Sequence, residues 1–478
     1  MPQLDITELR RRGVQLLAWL RSADGLAYLA LMAIALGVRL YLAPRVITSA
    51  DLLAYEYWGE LANTQFLHVY SASLAPQNWA YYAGYPPIAV YLYGLLDKVY
   101  FGLGALLGIP LIHDVRVGGV IRAYLKLPAI FADIALLTIL YVKALKVMPC
   151  WAAWLLSVTY ALSPGIIITV IFWGQTDGIV LLLTVAALIF AMRKQPIWCG
   201  VMLALAINFK PQPIVFVPLA LIYLWRWGGF RLAVRAVIAM AVVTIVVWIP
   251  YLLPPHPEAL ALAHNISLLE TAEGLTATHT AWNLWYALGI PKVGVATQVL
   301  GPLTLSQVGD ALFLLVILIA LVGVWRDPRP VRMWAGAAII ALAFFTVMTL
   351  QFERYLFPAL ALFFLAALYD RRYWPLYFTV SITFMANFAS ELFSCACDAY
   401  TTRLSGAMQY NLVLHLDPWQ TGVINCIALV VAIAFFLWPR AEQSEQDKQN
   451  EQFLAQPVPM LRGEGVALAP SALRGDGR

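Results

Sequence analysis

The chain has 478 residues, of which 62% are hydrophobic and 12% charged, with a formal net charge of +5. A soluble protein of this size needs roughly a quarter of its residues charged to cover its surface, so much of this surface faces lipid and a soluble globular enzyme is excluded. The positive charge sits in short knots between apolar runs, not in a basic stripe with interleaved aromatics, so nucleic acid is not a partner.

The first 25 residues, with Arg10, Arg11, Arg12 and Arg21, predict a basic amphipathic segment on the cytoplasmic surface. The apolar run at 26–42 has no small-residue cleavage site after it, so it is expected to be a retained helix and not a signal peptide. Cytoplasmic loops should hold the Lys/Arg excess, and that rule assigns a side to every later loop. Counting the run at 88–109 as a span would place Lys143 and Lys146 outside. It is therefore read as an interfacial or re-entrant helix, which Asp97 and Lys98 in its middle favour. Spans are then expected at 119–142, 151–162 and 179–192, followed by a helical hairpin at 197–224 turning at Asn208-Phe209-Lys210-Pro211. Further spans fall at 232–253, 308–325, 334–350, 355–369, 373–388 and 422–438. The total is about twelve, each near the roughly 20 residues a bilayer requires, with both ends cytoplasmic. The region 26–438 is thus one all-α polytopic domain, and the polar 439–478 reads as a disordered cytoplasmic tail. Cys150, Cys199 and Cys426 lie in or beside apolar segments and read as small hydrophobes. Cys395-x-Cys397 lacks a second pair, so no metal is expected there. Neither a P-loop nor a Ser or Cys nucleophile motif is present, and no cofactor is called for.

The longest loops, 46–117, 254–305 and 392–421, all fall on the outer side. In the first, Asp51 follows Thr48 and Ser49 at a helix start, and Ala54, Tyr55 and Trp58 share its face. A carboxylate beside aromatic rings suits a sugar: the acid takes a hydroxyl proton while the rings pack on the apolar face. The same Asp51 could instead be the helix N-cap.

The pattern Asp51-x-x-Ala54-x-x-x-Trp58-x-Glu60, just after the first transmembrane helix, resembles the first luminal loop of GT-C glycosyltransferases. The nearest likeness is to lipid-linked-oligosaccharide glucosyltransferases and GPI-anchor mannosyltransferases. Tyr82-Ala83-Gly84-Tyr85-Pro86-Pro87 before an aromatic-rich helix is similar to that family's Tyr-Pro-Pro signature. Arg122 and Asp133, the Trp173-to-Gly178 segment with Gln175 and Asp177, the turn Asn208-Phe209-Lys210-Pro211-Gln212, and Phe352-Glu353-Arg354-Tyr355 come in the family's order. Two departures stand out: Phe352 replaces a His and Arg354 a Lys. The resemblance implies a GT-C-like helical bundle with interfacial helices in its large first outer loop. It implies inverting transfer of a hexose from a polyprenyl-phosphate sugar donor to a glycan or lipid acceptor on the non-cytoplasmic face. In a prokaryote the membrane would be the plasma membrane. Asp51 would be the general base, Arg354, Lys210 and Arg122 would hold the donor phosphate, and Tyr55, Trp58, Tyr85, Gln175, Asp177 and Glu353 would line the sugar and acceptor positions.

Charge placement fits this reading, since Arg122, Lys126, Lys210 and Arg354 all fall near outer helix ends, where a donor phosphate needs cations; snorkelling to the interface would also place them there. Glu353 could orient Arg354 or an acceptor hydroxyl. The outer histidines His113, His256, His264 and His279 read as plain loop residues. A multi-pass transporter or glycolipid flippase is the competing class, but it should gather ionisable residues near mid-bilayer, and only Asp133 qualifies.

Overall fold

The computed structural model describes residues 17–45, 49–75, 81–112, 114–252, 258–394 and 416–438. The segment before residue 17, the 439–478 tail, the Cys395/Cys397 pair, His113 and His256 lie outside the described residues. In chain order the longer helices are α1 (Ala23–Leu42), α2 (Ala50–Thr64), α3 (Pro87–Leu107), α4 (Gly119–Ala144), α5 (Cys150–Ala161), α6 (Asp177–Met192), α7 (Pro196–Ile207), α8 (Val217–Gly228), α9 (Phe230–Leu252), α10 (Glu258–Glu273), α11 (Leu305–Arg326), α12 (Pro330–Val347), α13 (Phe357–Tyr369), α14 (Trp374–Ser394) and α15 (Pro418–Leu437). One short antiparallel pair, Gln298–Leu300 with Leu303–Thr304, is the strand pairing among the described residues.

Seven helices (α1, α3, α4, α9, α11, α12 and α15) are long and apolar enough to cross a membrane, and α5 makes an eighth if its 48° bend into Pro164–Phe172 is one broken span. The protein is an all-α, multi-pass integral membrane protein. Each run counted as a span in the sequence is a helix here. Several are short because proline and 3-10 turns interrupt them: Gln212–Phe216 winds as 3-10 between α7 and α8, and Glu353–Leu356 does so before α13.

The run expected at the interface is α3, an unbroken helix of 21 residues. Proline occupies its first turn, where a missing N–H costs nothing, and Gly108 ends it with φ +64°. α3 lies close along α2 because glycines face the contact: a Cβ on Gly59 would stand 2.8 Å from the Tyr93 carbonyl, and one on Gly94 would meet Ala62 at 2.7 Å. Asn63 crosses this seam, donating to the carbonyls of Gly59 and Gly94 and to Asp97 Oδ2.

α12 and α13 are buried along nearly their whole length and form the centre of the core, whereas α9 presents most of its surface outward. A fully buried ion pair ties the first helices together. Arg39 Nε on α1 donates to Asp133 Oδ2 on α4 at 2.8 Å, its Nη1 reaches the Ala161 carbonyl ending α5, and Tyr160 donates to Asp133 Oδ1. The one carboxylate read as intramembrane is therefore committed to a structural partner. Removing one member leaves an uncompensated buried charge, which costs about 3–5 kcal/mol. Arg39→Met or Asp133→Leu alone should therefore lower the melting temperature in detergent sharply, and the double variant should recover most of the loss. Single variants that melt like wild type would show that the pair does not anchor the bundle.

Candidate active site

The cap of α2 is Ser49, whose Oγ accepts from Leu52 N. Asp51 stands inside the first turn, so it is not the capping residue. Ser49 Oγ also donates to the Trp173 carbonyl at 2.6 Å, which docks the start of α2 on the 173–177 segment. That segment comes directly after a π turn at Ile168–Phe172. Its Gly174 has φ +73°, a conformation that strains any side chain. Leu52 and Lys126 would stand 3.4 Å from a Cβ placed there. On either side of Gly174, Trp173 Nε1 and Gln175 Nε2 both donate to Asp51 Oδ2, at 2.9 and 2.7 Å. Among the described residues no donor reaches Oδ1.

Lys210 occupies the turn after α7. The Asn208 carbonyl there accepts from Ile88 N, so the start of α3 and the Lys210 turn are joined. Lys210 Nζ donates to Asp177 Oδ1 at 2.8 Å, both side chains being buried, and lies 5.3 Å from the Tyr85 ring centre and 5.5 Å from that of Tyr355. Tyr85 packs edge-on to Trp58 and near Tyr55, with ring centres 5.4 and 6.2 Å away. Burial, then the negative charge of Asp51, raises the Tyr85 phenol above its ordinary range, while Arg354 opposes.

Arg354 closes the ring of charge. Its guanidinium lies 4.2 Å from the Phe352 ring centre and 3.6 Å from Glu353 Oε1. Its Nε is buried with no hydrogen-bond partner among the described residues, as is Asp177 Oδ2. Burial disfavours the Arg354 charge, but Asp51 and then Glu353 more than offset it, and its pKa lies well above the ordinary value. Thr280 holds Glu353: its hydroxyl donates to Oε2 and accepts from Glu353 N.

Asp51, Tyr55, Trp58, Tyr85, Gln175, Asp177, Lys210, Glu353 and Arg354 thus form one constellation drawn from distant parts of the chain. Arg122 stands apart on α4, donating to the Arg116 carbonyl at 3.5 Å, one turn from the fully buried Lys126. Two further groups join from the segment after α9, Glu273 at the end of α10 and His279. His279 stacks on Phe352 with ring centres 4.6 Å apart. α10 is fixed at its far end, where Glu258 accepts from the backbone N–H groups of Tyr70 and Ser71, and at its middle, where Asn265 donates to the carbonyls of Tyr70 and Ala83.

Beside the Lys210–Asp177 pair lies a small cavity of about 40 Å³, lined by Asp177, Tyr355 and mainly apolar residues such as Val180, Leu181, Phe216 and Phe344. A charged end thus adjoins an apolar groove between helices.

No family model matches the chain, and no curated protein matches it. Two solved structures of the Archaeoglobus fulgidus oligosaccharyltransferase are similar, each with a TM-score of 0.37 and 14% identity. One is the apo form, with 91% of this chain covered, and the other, with 93% covered, is tethered by a disulfide to an acceptor peptide containing the NVT sequon. The chain spans 60% of the length of these structures. What the site can do is set by its own side chains.

Glu273 is open to water on one side and crowded by protein on others. This desolvation pushes its carboxyl up to about 7, with Asp51, Glu270 and Glu353 adding to the effect and Arg354 opposing it. A carboxyl with a raised pKa is neutral below that value and negative above it. An anion seated at Arg354 should therefore bind more weakly as pH rises through about 7, and Glu273→Gln should flatten that dependence. Titrating the affinity for inorganic pyrophosphate from pH 6 to 8 in both proteins checks it; matching slopes would remove Glu273 from the site.

Proposed function

We propose that this protein is a membrane glycosyltransferase of the GT-C type. It moves a hexose, of the mannosyl or glucosyl kind, from a polyprenyl-phosphate donor to a glycan or lipid acceptor. The observation that carries the reading is Asp51: a carboxylate held through Oδ2, with Oδ1 free for a proton, set among aromatic rings and coupled to the buried Arg354.

In this reading the acceptor hydroxyl gives its proton to Asp51 Oδ1 as its oxygen attacks the anomeric carbon. The bond from that carbon to the phosphate oxygen breaks, and the electron pair leaves with the polyprenyl phosphate. Single displacement inverts the anomeric centre. Arg354 offers a planar fork of donors to the phosphate as its charge grows, and Lys210 offers a point charge. Arg122 is the third cation in this reading, at the entry side. Trp58, Tyr55 and Tyr85 give the sugar an apolar platform. Glu353 orients Arg354, and Asp177 does the same for Lys210. The apolar lining beside Asp177, with Val180, Leu181, Phe216 and Phe344, suits contact with the donor lipid.

The Lys/Arg pattern favours the non-cytoplasmic face for this chemistry, and in this reading α3 lies at the interface although it is long and apolar enough to span. Labelling of single cysteines with an impermeant reagent tests that placement. Positions near Tyr82 and Glu353 should react from outside and those near Lys146 and Arg371 from inside; Tyr82 and Lys146 reacting from one side would make α3 a span.

The catalytic reading is tested by substituting Asp51. Asp51→Asn keeps the shape and an oxygen for Trp173 and Gln175, and Ser49 still caps the helix, so folding should be normal. Transfer of labelled hexose from a panel of polyprenyl-phosphate sugars to membrane extract should fall on the order of 10²-fold or more. Asp51→Glu should retain part of the activity. Full activity in Asp51→Asn would move the base elsewhere.

A further inference from the structure

The two donors on Asp51 differ from the rest of the site in one respect: they converge on a single oxygen. We infer that Trp173 and Gln175 are positioning residues that select Asp51 Oδ1 as the proton-accepting atom by occupying Oδ2 from both sides of Gly174. The inference deepens the transferase reading and rests on Asp51 being its base.

Three features separate this role from ordinary packing. Docking of the 173–177 segment on α2 is already achieved by the backbone, through Ser49 Oγ and the Trp173 carbonyl. The indole ring is already packed, edge-on to Phe388 with ring centres 5.7 Å apart. Neither contact needs the indole N–H. Gln175, meanwhile, is fully buried and leaves its Oε1 without a hydrogen-bond partner among the described residues. An unmet buried acceptor is costly, so the side chain is held against its own hydrogen-bonding interest with its amide N–H on Asp51. The left-handed φ of Gly174, which glycine adopts without strain, brings residues 173 and 175 onto one oxygen and has the same sense.

The consequence is geometric: two N–H donors in fixed directions hold one carboxylate oxygen and leave the other toward the acceptor. Other groups act on the same carboxylate: Arg354 from the 3-10 turn, Glu273 from α10, Tyr55 on the same helix, Tyr85 from the loop, and Tyr93 from α3. Lys126 of α4 approaches from behind Gly174. None of these is altered by the substitutions below.

Trp173→Phe removes one donor and keeps an aromatic ring, and Gln175→Leu removes the other with little change in volume. Each should lower kcat about tenfold while donor KM stays within about twofold. The double variant should lower kcat further, with donor KM still unmoved. An infrared spectrum of the purified protein, with the Asp51 carboxylate band identified by its absence in Asp51→Asn, should show that band shifted in each single variant as a donor is lost, without any turnover. An unchanged kcat and an unchanged carboxylate band in Trp173→Phe would overturn the inference, whatever becomes of Gln175→Leu. Full activity in Asp51→Asn would sink the base reading, and the infrared band would then decide the hydrogen-bond role alone.

Discussion

The hydrogen bonds from Trp173 and Gln175 to Asp51 are the constraint on which the rest of the candidate site depends. A carboxylate near a membrane boundary is costly unless it is paired and hydrogen-bonded. This one is satisfied by a segment that also carries Asp177, the partner of Lys210. Through residues 173–177 the candidate base and one of the candidate phosphate cations are held by the same short stretch of backbone. The left-handed Gly174 permits this. The anchoring extends inward: Asp133 is locked to Arg39, so the floor beneath the site is neutral and braced.

Around that centre the segments are joined by isolated hydrogen bonds rather than by regular secondary structure. Glu258 and Asn265 clamp α10 onto the 66–85 segment, Asn208 receives the first turn of α3, and Thr280 holds Glu353. Each bond links residues far apart in sequence, so the site forms only when the whole bundle has formed. Buried polar networks of this kind specify one arrangement because their partial forms are expensive. A rigid cluster of charge with an apolar groove leading away is what an amphipathic donor would require.

Much of this is legible from residues alone. Apolar run length marks out the helices, since spans must satisfy their backbone internally, and each predicted run is helical. Asp51, Tyr85, Lys210 and Arg354 stand out because each sits in a short local pattern with turn residues or aromatics, and the structure brings them together. The residues that escape detection lack such a pattern. Glu273 and His279 lie in a loop without periodicity, and only α10, clamped by bonds nearly 200 residues apart in sequence, delivers Glu273 to the site. That Arg39 is the partner of Asp133 is equally hidden, because helix pairing across 94 positions leaves no local trace. Ser49 takes the capping role that Asp51 could have filled, since the side chain that best reaches Leu52 N lies two residues earlier. With Asp133 neutralised, the feature that most favoured a transporter reading is accounted for structurally.

The central claim is that one site holds both the base and the donor phosphate. The most direct measurement is an electron cryo-microscopy structure of Asp51→Asn in lipid nanodiscs with a polyprenyl-phosphate hexose that the wild type uses. The phosphate is expected within hydrogen-bond reach of Arg354, the sugar ring against Trp58 and Tyr85, and residue 51 on the face of the anomeric carbon opposite the phosphate. Phosphate density out of reach of Arg354, with the sugar remote from residue 51, would contradict it.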